Sequence, residues 1–120
     1  MNSILVVDDN PNLQTLLSQT LLAEGYFVTS CTNGATALDL MAKQTYDLVI
    51  LDIKLPGLSG MEVLKRSRQI DPDLVVIMIT AFGDIRNSVE AMKLGAFNYL
   101  TKPFNLDEMI LNIRQGMETR

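Results

Sequence analysis

Short unbroken runs of aliphatic residues constrain the fold of this 120-residue chain more than any other feature. Three such runs, at residues 4–7, 48–51 and 74–79, are rich in Val and Ile. Strands that are apolar on both faces are typical of a parallel sheet covered by helices on each side. Weaker runs at residues 26–31 and 97–101 predict two further strands. The sequence therefore predicts a sheet of parallel strands at its centre.

Segments with helical spacing of their apolar residues follow the predicted strands. Their ends carry residues that favour helix boundaries, which are Asn10, Gly25, Asp84, Gly95 and Asn105. Asn and Asp are favoured before the first turn of a helix, and Gly is favoured just after the last turn. Five strands alternating with five helices predict an α/β fold, a doubly wound parallel sheet with helices on both faces.

The composition narrows the class of protein. Residues 1–120 have the length of one domain, and 48% hydrophobic with 20% charged residues excludes a disordered chain. A net charge of −4 argues against direct nucleic-acid binding. The lone Cys31 and the lack of His exclude a disulfide framework, the usual zinc sites and His-dependent catalysis. Because no apolar run is long enough to span a membrane, we expect a cytoplasmic domain with no membrane partner.

Polar side chains follow four of the predicted strands at one edge of the sheet. Asp8 and Asp9 follow the first strand, Asp52 the third, Thr80 the fourth and Lys102 the fifth. In an open parallel sheet, ligands bind beyond the carboxyl ends of the strands. Three carboxylates in one crevice repel one another, so we expect a hard divalent cation, Mg²⁺ or Mn²⁺, to offset their charge.

Asp52 is the best candidate for a nucleophile, because its strand lies near the middle of the predicted sheet. A carboxylate that attacks a phosphoryl donor forms an aspartyl phosphate. The cation, Lys102 and the Thr80 hydroxyl would meet the charge on the phosphoryl oxygens. The residues alone therefore predict phosphoryl transfer to Asp52.

These residues lie in motifs that resemble the receiver domain of response regulators, the CheY-like phosphoacceptor of two-component signalling. The motifs are ILVVDD at residues 4–9, DLVILDIKLPG at residues 47–57, ITA at residues 79–81 and YLTKPF at residues 99–104. They cover essentially the whole chain, which we interpret as a single receiver domain. The resemblance implies the flavodoxin-like strand order 2-1-3-4-5 and a cis peptide bond between Lys102 and Pro103.

The resemblance also implies a role for individual residues. Its metal ligands would be Asp8, Asp9, Asp52 and the backbone carbonyl of Lys54. Asp52 would be the phosphoacceptor, with Thr80 and Lys102 as ligands of the phosphoryl group. Thr80 and Tyr99 would be the switch residues that report phosphorylation to the helix 4–strand 5–helix 5 surface.

A sensor histidine kinase is the phosphodonor that the resemblance implies. We expect it to dock on the first helix, around Gln14, Ser18 and Leu21. We also expect a homodimer on activation, because the fourth helix offers apolar Val89 and Met92 beside charged residues. The alternative is that these two apolar side chains simply belong to the hydrophobic core.

The segments TAFGD at residues 80–84 and GAFNYL at residues 95–100 resemble the nitrogen-regulation group of response regulators. That group places the receiver before an AAA+ ATPase, which activates sigma-54 polymerase, and a DNA-binding region. The resemblance therefore implies control of transcription. The alternative is a free-standing receiver that acts by protein–protein contact or in a phosphorelay.

Two other classes share features of this pattern. A phosphatase of the haloacid-dehalogenase type needs a second acid two residues after its nucleophile, where this chain has Asn10 or Pro11. A flavodoxin-like electron carrier needs a phosphate loop rich in Ser, Thr and Gly after the first strand, where this chain has two acids. Both are therefore weaker interpretations than the receiver.

We expect no conventional enzyme activity, only self-phosphorylation from phosphodonors and slow autodephosphorylation. Lys54 and Phe82 are expected to flank the path of the attacking water. Neither is a general base at neutral pH, because a lysine is protonated there and a phenyl ring has no polar group.

Overall fold

The computed structural model describes residues 2–81 and 85–119, and in it strands and helices alternate. The strands are β1 (Ser3–Val7), β2 (Phe27–Cys31), β3 (Leu48–Asp52), β4 (Val75–Ala81) and β5 (Asn98–Lys102). The helices are α1 (Pro11–Ala23), α2 (Gly34–Lys43), α3 (Gly60–Ile70), α4 (Ile85–Lys93) and α5 (Leu106–Thr119). The predicted α/β alternation is confirmed.

The five strands form one parallel sheet in the order β2-β1-β3-β4-β5. This is the order that the resemblance implies. Because β1 lies between β2 and β3, the chain leaves β1 toward one edge and later returns to its other side. That reversal opens a crevice at the carboxyl ends of β1 and β3, where a doubly wound sheet binds its ligands.

Two apolar cores cover the two faces of the sheet. Helices α2, α3 and α4 pack on one face, through residues that include Ala37, Met41, Val63, Leu64 and Ala91. Helices α1 and α5 pack on the other face, through Leu17, Leu21, Met109 and Ile113. The fully buried β1, β3 and β4 residues divide between these cores, which explains why their sequences are apolar without alternation.

The predicted helix boundaries are confirmed where the structure describes them. The Asn10 side chain accepts hydrogen bonds from the backbone N–H groups of Asn12 and Leu13, at the start of α1. The Asn105 side chain accepts one from the backbone of α5. Gly25 and Gly95 have φ angles of +93° and +97° just after α1 and α4. The predicted cap Asp84 lies outside the described residues.

Helix α4 directs two apolar side chains away from the sheet. Val89 is 50% exposed and Met92 is 43% exposed, while Ser88 and Ala91 are buried. The interpretation of Val89 and Met92 as core residues is therefore wrong.

Within residues 2–81 and 85–119, no helix has the length and apolar character to cross a bilayer.

Candidate functional site

Three aspartates meet in the crevice between the carboxyl ends of β1 and β3. Asp8 is fully buried, Asp52 is 5% exposed and Asp9 is exposed. One carboxylate oxygen from each lies within 4.8 Å of the others. The predicted cluster is therefore present, and its three negative charges are close enough to require compensation.

Asp8 is held on both carboxylate oxygens. Its Oδ1 atom accepts a hydrogen bond of 2.8 Å from the backbone N–H of Asn10. Its buried Oδ2 atom accepts no hydrogen bond from the described residues, although it lies 3.0 Å from the ammonium of Lys102. The contact with Lys102 is thus ionic, and it leaves Oδ2 with acceptor capacity for a further ligand.

Asp52, the last residue of β3, accepts one hydrogen bond on each of its carboxylate oxygens. The backbone N–H of Lys54 donates to Oδ1 at 3.0 Å, and the Lys102 ammonium donates to Oδ2 at 2.9 Å. Burial raises the pKa of Asp52 by more than these hydrogen bonds and the charge of Lys102 lower it, and the charge of Asp8 raises it further. The crevice therefore favours an Asp52 carboxylate whose negative charge is neutralised by a proton or a cation.

Lys102 is the last residue of β5, and its side chain reaches Asp52 of β3 past the carboxyl end of β4, which lies between these two strands. Burial lowers the pKa of its ammonium, but the hydrogen bond that it donates to Asp52 and its charge attraction to Asp52 and Asp8 outweigh burial, so the pKa is raised. The peptide bond that follows, Lys102–Pro103, is cis, which confirms that prediction. One fixed cation thus serves two carboxylates.

The start of α3 approaches the Asp52 backbone very closely. A Cβ atom added at Gly60 would lie 2.0 Å from the Asp52 carbonyl oxygen. The Gly60 N–H also donates a 2.8 Å hydrogen bond to the carbonyl of Ile53. Only glycine fits there, so Gly60 fixes the segment that follows the predicted phosphoacceptor.

The two predicted switch residues lie on adjacent strands with different exposure. Thr80 on β4 is 2% exposed and pairs in register with Thr101 on β5. Tyr99, two residues before Thr101, is 39% exposed, and its backbone N–H bonds the Asn98 side chain. The buried hydroxyl and the outward aromatic ring are therefore linked through one strand pairing.

The donor set of this crevice fits a hard divalent cation. Its ligand atoms are carboxylate oxygens, and the buried Oδ2 of Asp8 accepts no hydrogen bond from the described residues. Magnesium prefers oxygen ligands, and one or two carboxylates are its usual protein contribution. The residues present therefore suit magnesium.

The sequence profile of the response regulator receiver domain matches residues 4–114. The chain belongs to this family. Receivers are the phosphoacceptor domains of two-component response regulators, so the family matches the chemistry that the acid cluster predicts.

Two curated relatives differ in how much of their length this receiver covers. It is 42% identical over 106 residues to sporulation initiation phosphotransferase F of Bacillus subtilis, covering 88% of this chain and 86% of that protein. It is 37% identical to the DNA-binding transcriptional regulator NtrC of Escherichia coli, covering 95% of this chain but only 24% of that protein. The receiver is thus comparable in length to the first relative and spans about a quarter of the second.

Solved structures of receivers have the same fold. TrrA from Thermotoga maritima, solved in complex with Mg²⁺ and BeF, superposes with a TM-score of 0.87 at 40% identity and covers 97% of this chain and 99% of that one. NtrX from Brucella abortus, in complex with ADP, superposes with a TM-score of 0.93 at 34% identity, covering 99% of this chain and 28% of that one. The relatives therefore include members of the nitrogen-regulation group.

The predicted docking face on α1 is partly wrong. The side chain of Leu21 is fully buried on the sheet-facing side of α1, so it presents no surface to a partner. Gln14 is half-buried and bonds backbone carbonyls, while the Ser18 hydroxyl lies 3.0 Å from that of Ser30. Residues at spacing i, i+3 and i+7 share one helix face, so the sequence spacing of Gln14, Leu17 and Leu21 already carried this signal.

The structure describes one of the two residues that were predicted to flank the path of the attacking water. Lys54 follows the site with an exposed side chain. Phe82 lies outside the described residues. The predicted slow dephosphorylation therefore stays a prediction.

Proposed function

We propose that this receiver accepts one phosphoryl group on Asp52 from a sensor histidine kinase. The observation that carries the proposal is the crevice itself, in which Lys102 and three carboxylates converge beside Thr80. In this proposal the chain is one receiver domain, and it works in the cytoplasm. It is a switch rather than a conventional enzyme, although it promotes its own phosphorylation.

The reaction forms one bond and breaks one. A carboxylate oxygen of Asp52 attacks the phosphorus of the donor, and the bond from phosphorus to the leaving group breaks with its electrons on that group. Lys102 Nζ, which lies 2.9 Å from Asp52 Oδ2, can follow the transferred oxygens as a hydrogen-bond donor. Thr80, at the end of β4, supplies a hydroxyl from the neighbouring strand.

The ligands proposed for Mg²⁺, or Mn²⁺ in its place, are Asp8, Asp9, Asp52 and the backbone carbonyl of Lys54. When bound, the cation supplies charge compensation for the phosphoryl oxygens. The Lys54 N–H bond to Oδ1 and the Lys102 bond to Oδ2 orient the Asp52 carboxylate without it. Asp8 keeps its place through the Asn10 N–H.

Phosphorylation would shift a conformational equilibrium rather than build a new fold. The Thr80 hydroxyl moves toward the phosphoryl group, and Tyr99 turns inward from its exposed position. The surface of α4, β5 and α5 changes as a result. Exposed Val89 and Met92 on α4 make this surface suited to homodimer formation.

The proposed output is transcription, through a C-terminal AAA+ and DNA-binding region of the kind found in the nitrogen-regulation group. The 37% sequence identity to NtrC, which extends over 95% of this chain, supports that output. A phosphorelay role as a free-standing receiver is the second candidate. Its support is the relative named a phosphotransferase, of which the chain covers 86%.

The proposal is tested by incubating the protein with acetyl phosphate and magnesium, followed by mass spectrometry of the intact chain. We expect one added phosphoryl group, absent in Asp52→Asn. Asp39→Asn is the matched control, because Asp39 is an exposed aspartate on α2. Labelling that persists in Asp52→Asn, or that disappears in the control, would contradict the assignment.

The two candidate outputs are separated by following the phosphoryl group. A phosphorelay receiver passes it to a histidine on a phosphotransferase, so label leaves the purified phosphoprotein when that partner is added. A transcriptional receiver keeps the label under those conditions and changes its own association instead.

A further inference from the structure

The side chain of Gln14 connects α1 to the ends of two strands. Its Nε2 atom donates a 2.8 Å hydrogen bond to the backbone carbonyl of Asp8, which follows β1. The same nitrogen donates to the backbone carbonyl of Cys31, the last residue of β2. The Cys31 carbonyl also accepts the backbone N–H of Asp8 at 3.2 Å. Gln14 therefore closes a hydrogen-bonded ring around the point where β1 ends.

Asp8 is consequently held at its main chain as well as at its side chain. Gln14 fixes its carbonyl, the Asn10 N–H fixes Oδ1, and Lys102 lies beside Oδ2. The next residue, Asp9, is exposed and shares this stretch of backbone. Any shift of the Asp8 carbonyl thus moves two of the three carboxylates that face each other across the crevice.

We propose that Gln14 is a positioning residue for the magnesium site, acting through the backbone of Asp8. The inference rests on the proposed function, since it concerns the same cation. Gln14 suits this role because two carbonyl oxygens converge on it, and carbonyls need N–H donors. Partners that orient metal ligands in this way typically change metal affinity by about 10- to 100-fold when removed.

The experiment measures magnesium affinity by isothermal titration calorimetry on the purified protein, with magnesium chloride alone. Gln14→Met keeps the length and helix propensity of the side chain but removes both donors. We expect it to weaken magnesium binding by about tenfold.

Gln19→Met is the matched control, because Gln19 is exposed on the same helix. It should bind magnesium as the wild type does. Thermal unfolding in EDTA reports whether each variant is folded, and Gln14→Leu replaces Gln14→Met if the latter does not fold. A purely structural role would lower the unfolding temperature without a selective change in the affinity of the folded protein.

Each outcome decides a different claim. A wild type that binds no magnesium overturns the proposed magnesium site and this inference with it. If the wild type binds and Gln14→Met binds within twofold of it, only the positioning role of Gln14 is overturned.

Discussion

At the scale of single residues, Lys102 governs the electrostatics of the crevice. Its ammonium lies 2.9 Å from Asp52 Oδ2 and 3.0 Å from Asp8 Oδ2, so one positive charge serves two buried carboxylates. The same two residues belong to the cluster that suits a divalent cation. A cation bound in this cluster would therefore compete with Lys102 for these carboxylates.

This competition predicts opposite effects of two substitutions on magnesium binding. Lys102→Ala removes a competing charge, so the affinity should stay equal or rise, while phosphorylation-dependent switching is lost. Asp9→Ala removes a carboxylate from the cluster, so the affinity should fall by about tenfold or more. Calorimetric titration of both variants with magnesium measures the difference.

The control for both is Lys43→Ala, an exposed lysine in the last turn of α2. It removes the same charge without touching the cluster, and its magnesium affinity should match the wild type. Equal losses in Lys102→Ala and Asp9→Ala would contradict this division of roles.

At the scale of elements, Arg68 joins segments at the edge of the sheet opposite the acids. Its guanidinium donates 2.8 Å hydrogen bonds to the carbonyls of Gly95, after α4, and Pro72, after α3. It also bonds the carbonyls of Asp71 and Leu74 in the turn between α3 and β4. One side chain thus holds the C-terminal ends of two neighbouring helices, where unpaired carbonyls accumulate.

Replacing Arg68 with Leu should therefore destabilise the fold more than a surface substitution does. Losing the hydrogen bonds from this charged donor to the carbonyls should lower the free energy of unfolding by about 1.5–3 kcal/mol. Urea denaturation followed by circular dichroism measures this loss. The matched control is Arg66→Leu, since Arg66 makes one exposed 3.6 Å ion pair with Glu62, which is worth about 0.5 kcal/mol or less. Similar losses in the two variants would show that the carbonyl bonds contribute little.

At the scale of the whole molecule, the acid cluster and the exposed apolar surface lie on different parts of the sheet. The carboxyl ends of the strands carry the acids, and α1 and α5 cover one face while α2, α3 and α4 cover the other. Exposed apolar side chains on α4 lie next to β5, whose Tyr99 is also exposed. Phosphorylation at the acids can therefore act on a surface that is built separately from them.

We predict that activation with beryllofluoride and magnesium makes the receiver associate through this surface. Sedimentation velocity should show a dimer in the activated state and a monomer without beryllofluoride. Val89→Lys and Met92→Lys should suppress the dimer, because each places a charge in an apolar contact. Leu22→Lys is the control, since Leu22 is 57% exposed on α1, which packs on the opposite face of the sheet. A monomer in both states would contradict the prediction.

The sequence alone was enough to predict the elements and the chemistry of the crevice. Unbroken aliphatic runs identified β1, β3 and β4, because a strand buried on both faces needs an apolar residue at every position. The acids followed from the same runs, since parallel strands bring their carboxyl ends to one edge. The residues Asp8, Asp9 and Asp52 were therefore predictable without a structure, and the resemblance to receivers supplied the strand order.

Only the tertiary structure decided which side chains are partners. The contacts of Lys102 with Asp52, of Arg68 with Gly95 and of Gln14 with Cys31 join residues 50, 27 and 17 positions apart. It also decided that Leu21 is buried and that Val89 and Met92 are exposed. Periodicity in a sequence records how often a side chain faces the core, which is a local property. Which carbonyl or carboxylate a long polar side chain reaches depends on how separate elements pack, and no local pattern encodes that distance.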